Sequence, residues 1–135
     1  MVMGIAVIWG DQNKSRLCFI SDSPWNQAEL KAAVVQALQL LNTITVPVNV
    51  VLDFQAAPIN ASEFIVNAQY LKPVSQHPNT RHILVLGAST ETETMCKSYP
   101  AYRHFHFAHN FEAGQMLLSQ LDYLASLGGL QFTVS

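Results

Sequence analysis

Charge is scarce in this chain. Asp, Glu, Lys and Arg make up 12% of 135 residues, seven basic against nine acidic, for a formal charge of -2. A nucleic-acid partner needs a clustered basic face to neutralise phosphates, and so weak and mixed a balance excludes one. Cysteine is scarcer still: Cys18 falls in a strand-like run and Cys96 in a short helix. Neither has a second Cys at metal or redox spacing, so two buried free thiols are expected rather than a disulfide. Long apolar runs are also missing, because Gln36, Gln39, Asn49 and Asp53 interrupt the best candidates. None reaches the roughly 20 residues of a membrane span. The opening MVMGIAVIWGD has neither the basic start nor the longer apolar core of a secretion signal, so a soluble, cytoplasmic chain is expected. No repeat of solenoid length and no low-complexity segment occurs.

What the chain does have is apolar residues, half of the total. At this length they suffice for one domain with a real core, or for a core plus an apolar interface. The central stretch is VNVVLDFQAAPINASEFIVNAQYL, residues 48–71. Val50, Val51 and Leu52 are apolar in succession, as in a strand covered on both faces. Asp53 ends the strand, and Pro58 keeps the loop out of the sheet. Asn60 to Glu63 places a cap acceptor three residues before a carboxylate, the spacing of a helix start. Phe64, Ile65, Ala68 and Leu71 then recur at helical spacing as far as Pro73, which puts Ser62 in the first turn.

Around this stretch the order β-β-α-β-α-β-α-β-α is predicted. Residues 3–9 and 16–20 form a hairpin across GDQNKS. A helix begins at Ser23-Pro24 and carries the stripe Leu30, Val34, Leu38 and Leu41, broadened by Ala33 and Ala37. Gln76 to Thr80 is a turn. The strand His82 to Leu86 leads through Gly87-Ala88-Ser89 to a helix with a possible capping pair in Thr90 and Glu93, ended by Tyr99-Pro100. The strand His104 to Ala108 precedes a last helix, capped by Asn110 and striped by Phe111, Gly114, Leu117, Leu118, Leu121 and Leu124. Gly128-Gly129 stops it, leaving residues 127–135 as a tail or an edge strand. Right-handed crossovers make the later strands parallel. The loops after Asp53, Gly87 and Ala108 then share the carboxyl edge of one α/β domain spanning 1–135, where such sheets bind ligands and partners.

The strand closing in Asp53, the loop, Ser62 at the helix start and the apolar helix after it resemble the STAS domain family, the anti-sigma-factor antagonists. The family's Asp-Ser-Ser-Gly motif falls on Ala61, Ser62, Glu63 and Phe64. Ser62 matches its first serine, while Glu63 stands where the family's kinase adds phosphate. Gly87-Ala88-Ser89 after an apolar strand, and Glu112-Ala113 in the last helix, extend the resemblance to the looser STAS-like (SpoIIAA-like) group over nearly the whole chain. The resemblance implies a non-catalytic interaction domain whose partner is an anti-sigma factor or a kinase-like protein, switched by phosphorylation of Ser62. A phosphate adds about two negative charges and would turn a binding edge into a repelling one. The interaction edge then comprises Asp53, Asn60, Ser62, Glu63, Gly87, Ser89, Thr90 and Asn110. The plain alternative for Ser62 is an ordinary helix-start serine.

Other chemistries find little footing. His104 and His106 have strand spacing and His109 follows in the loop, yet only Glu112 stands by to complete a metal site and Arg103 would repel a cation. They read as a partly solvated strand face, with Phe105 and Phe107 filling the core. No G-x-S-x-G elbow occurs, and Asp53, Glu63, Glu91 and Glu93 lack motif spacing, so no enzyme, metal or cofactor is expected. The runner-up function is a carrier or sensor of an apolar small molecule or lipid, drawn from Trp25, Phe64, Tyr70, Phe111 and Leu117. A homodimer would cover the same apolar excess.

Overall fold

A computed structural model describes residues 4–21, 25–56, 60–102 and 105–131. It is a mixed α/β fold. Strands β1 (Ala6–Trp9), β2 (Arg16–Ile20), β3 (Val48–Asp53), β4 (Thr80–Leu86) and β5 (Phe105–Ala108) lie in sequence order across one sheet. The pair β1–β2 is antiparallel, and the remaining pairs are parallel. Helices α1 (Gln27–Leu41), α2 (Ala61–Ala68), α3 (Lys72–Ser75), α4 (Thr90–Lys97) and α5 (Phe111–Gln131) complete the order.

Strands added in sequence order through right-handed crossovers put every intervening helix on the same side. That side is where the main core forms. Leu17, Phe19, Val50, Leu52, Ile83, Val85 and Phe105 point into it, beneath Leu30 of α1, Phe64 of α2, Val74 of α3 and Cys96 of α4. The alternate residues Cys18, Val51, Leu84 and Leu86 face the other way and meet Leu117 and Leu118 of α5. Both faces of the central strands are thus covered, which explains their unbroken apolar runs. Gly114 lets α5 approach closely: a Cβ there would stand 2.5 Å from Leu84 Cδ2.

Several boundaries differ from the sequence expectation. Helix α1 starts at Gln27 rather than at Ser23-Pro24, which lie outside the described residues. Asn26 outcompetes that start because it completes a reciprocal capping box, its Oδ1 accepting from Glu29 N at 2.9 Å while Glu29 Oε1 accepts from Asn26 N at 3.3 Å. In α4 the cap is Ser89, not Thr90. Ser89 has the extended backbone a cap needs and accepts from Thr92 N at 3.1 Å, leaving Thr90 as the first helical residue. Pro73 does not end the second helical segment. A 3₁₀ turn at Gln69–Leu71 re-phases the chain, and Pro73 falls in the first turn of α3, where its missing N–H needs no partner. Likewise Gly128-Gly129 does not stop α5, which runs to Gln131, so the expected tail is partly helical. Leu124, assigned to the buried stripe, is 61% exposed, and Phe111 is 38% exposed. The 3.6-residue period carries both away from the sheet over so long a helix. Among the described residues no helix is long and apolar enough to cross a membrane.

Candidate interaction edge

The carboxyl ends of the four parallel strands form a continuous rim. Ser21 N donates to Asp53 O at 3.1 Å, Phe54 N to Leu86 O at 3.0 Å, and Gly87 N to Ala108 O at 3.2 Å, so each loop leaves the sheet tied to its neighbour. Asp53 closes β3 at this rim, and Gly87 and Asn110 follow the ends of β4 and β5. Asp53 Oδ1 accepts from Gln55 N at 3.0 Å, an Asx-type bond that turns the chain out of β3. Gly87 makes the matching turn out of β4 with φ +82. Its missing Cβ would lie 2.8 Å from Gln55 Cα, so the two loops can touch only because this residue is glycine.

Helix α2 follows the loop out of β3. Asn60 Oδ1 accepts from Glu63 N at 2.8 Å, and Glu63 Oε1 accepts from Asn60 Nδ2 at 3.0 Å. The cap is therefore held by a side-chain pair rather than by a full backbone box. It leaves Ser62 exposed in the first turn. Beneath it an aromatic row seats the helix. Phe64 meets Phe54, Phe105 and Phe107 edge-on at ring separations of 6.2 Å each, and Trp25 stacks on Phe54 at 6.0 Å. Two further helix starts share the rim. Ser89 and Thr90 open α4, and Asn110 accepts from Ala113 N at 2.8 Å to open α5. With α1, which follows β2, four helices start after the carboxyl ends of the parallel strands.

The remaining candidates fall elsewhere. His104 and Arg103 lie outside the described residues, as does Pro58. His106 packs edge-on against His82 at 5.2 Å on the α5 face, and His109 is exposed beyond the strand. Among the described residues no three His, Cys, Asp or Glu side chains gather as metal ligands. Cys18 and Cys96 are buried free thiols; burial raises both, Cys96 to about 11. Of the residues expected to hold an apolar ligand, Trp25 and Phe64 both pack on Phe54, Tyr70 lies under Lys31 at 4.9 Å, and Phe111 lies under Arg16 at 4.7 Å. Between Trp25, Leu30, Phe54 and Phe64 only about 10 Å³ stays open, room for no more than one water. A larger groove of about 700 Å³, flanked by Ala68, Lys72, Tyr102 and Phe105, had no counterpart in the sequence reading, since its walls come from separate elements.

No protein-family model, curated protein or solved structure matches this chain.

Proposed function

We propose that this chain is a non-catalytic regulatory domain that docks a protein partner on the carboxyl edge of its sheet, in the manner of the STAS-like antagonists it resembles. The partner class is an anti-sigma factor or a kinase-like protein, and Ser62 is the phosphoacceptor that releases it. One observation carries this reading: Ser62 stands exposed in the first turn of α2, on the rim where the starts of α4 and α5 also gather. The helix end tolerates an added phosphate, so modification alters the surface and not the fold. Asn60 and Glu63 are already paired with each other, so a phosphate on Ser62 would face outward to the partner.

Affinity capture from the source cell's lysate, with wild-type and Ser62→Asp baits read by mass spectrometry, tests the switch. A protein held by the first and released by the second, at unchanged melting temperature, is the expected result. Equal retention by both baits would remove the regulatory role of Ser62.

A second reading, a module for an apolar small molecule, draws on the groove beside Tyr102 and Phe105. That ligand would appear as mass in excess of the chain in gently ionised protein. A homodimer would cover the outward face of α5, where Met116, Tyr123 and Leu124 are exposed. Sedimentation at increasing concentration would reveal it.

A further inference from the structure

We propose that the cleft at the amino ends of β2, β3 and β4, beneath the Gln115 to Asp122 stretch of α5, binds a small anion that also carries a hydrogen-bond donor such as a hydroxyl. The cleft holds about 390 Å³, within the usual range for small-molecule sites. It lies at the opposite end of the strands from Ser62, so it stands independently of the reading above.

Three observations meet there. The first is charge: Lys14, Arg16 and Arg81, three of the chain's seven Lys and Arg, line a cleft that also holds Asp122, in a protein whose net charge is -2. The second is an orphan acceptor. Asn49 Oδ1 is buried in the cleft wall with no hydrogen-bond partner among the described residues, a costly arrangement for a polar atom unless something donates to it.

The third is a break in the sheet beside Asn49. Val48 pairs with Thr80 but Val50 with Ile83, so Arg81 and His82 together oppose the single residue Asn49. Successive strand residues ordinarily point to opposite faces. Here both reach the same carboxylate, Arg81 Nη2 at 2.9 Å and His82 Nε2 at 4.0 Å from Asp122 Oδ1. The extra residue is what swings the Arg81 guanidinium onto the side of Asn49, a re-aiming that bulges commonly perform beside functional sites.

The division of labour follows from these positions. Arg81, steadied by Asp122, takes the anion, while Lys14, raised on a turn at φ +54 with its ammonium 5.9 Å over the Trp9 ring, adds positive charge at the margin. Arg16 is partly committed, donating to Gly10 O at 3.0 Å and lying 4.7 Å over the Phe111 ring, and shapes the wall. Asn49 Oδ1 accepts from the ligand's donor.

Titration calorimetry with glycerol phosphate tests this, with inorganic phosphate and glycerol as probes carrying one feature each. Saturable one-to-one binding of glycerol phosphate is expected, about tenfold or more tighter than phosphate, with none of glycerol. Arg81→Gln should weaken it by about tenfold or more. Asn49→Leu should abolish the preference over phosphate while raising the melting temperature by about 2–5 °C, because it removes an unsatisfied buried acceptor. No saturable binding of either anion, or binding indifferent to Arg81→Gln, would overturn the site. A lowered melting temperature in Asn49→Leu, or equal affinity for phosphate and glycerol phosphate in the wild type, would overturn the role of Asn49.

Discussion

The two faces of the sheet are built to different standards. One lies under α1 to α4 and holds an interlocked aromatic and aliphatic core. The other is closed by α5 alone, which rests on Leu84 and Leu86 through Gly114 and leaves Ile8 of β1 49% exposed. The cause is topological, since strands added in sequence order send every crossover to one side and only the chain's last helix is free to return across the other. Stability should therefore reside on the first face. The second has room for openings such as the cleft around Asn49.

The largest expected effect tests that division. Leu52 is 1% exposed on the first face, and Leu52→Ala should cost about 3–4 kcal/mol through lost burial and the cavity left behind. Leu118→Ala on half-buried α5 should cost about 1 kcal/mol. Denaturant unfolding of both variants measures the difference, and similar costs would break the comparison. Next comes Gly87→Ala. It forces a side chain into positive φ and against the Gln55 backbone at 2.8 Å, for about 2–3 kcal/mol, and it should also displace the loop at the interaction edge. Loss of partner capture by this variant, with the core still folded by circular dichroism, would sharpen the assignment of function to that rim.

Gly114→Ala should cost about 1–2 kcal/mol net. Its Cβ meets the fully buried Leu84 side chain, which outweighs the gain in helix propensity. The effect should appear as faster amide exchange in α5 with α1 unchanged. Smallest near neutral pH is the contribution of Cys96, held in the neutral form by burial on the inner side of α4. Its folded value of about 11 lies above the ordinary 9.0, so the unfolded chain loses that proton first as pH rises. Its contribution is complete below pH 9.0 and fades toward about 11, and Cys96→Ala should flatten the alkaline fall in melting temperature over that window. An unchanged alkaline fall would place its cause elsewhere.

How far the sequence could be read depends on whether a feature is local. Val50-Val51-Leu52 and His82 to Leu86 announce covered strands because each residue's own apolarity records its face. Asn60 and Glu63 announce a helix start because the cap is made within four residues. The element order and the shared rim of Asp53, Gly87 and Asn110 follow from those local signals plus the crossover rule. Where two local signals compete, the reading slips: Pro24 against Asn26, Thr90 against Ser89. Gly128-Gly129 fails as a stop because a glycine pair only weakens a helix, and α5 continues through it. The bulge opposite Asn49 and the cleft it helps to form depend on residues from a turn, three strands and a returning helix. No periodicity in the chain records that meeting.

Hydrogen exchange of the chain, with and without the protein captured by the wild-type bait, tests the central claim most directly. The account predicts slowed exchange in the loops after Asp53, Gly87 and Ala108 and in the first turn of α2, with β1 and α5 beyond Gly114 unchanged. Protection confined to β1 or to the outward face of α5 would contradict it.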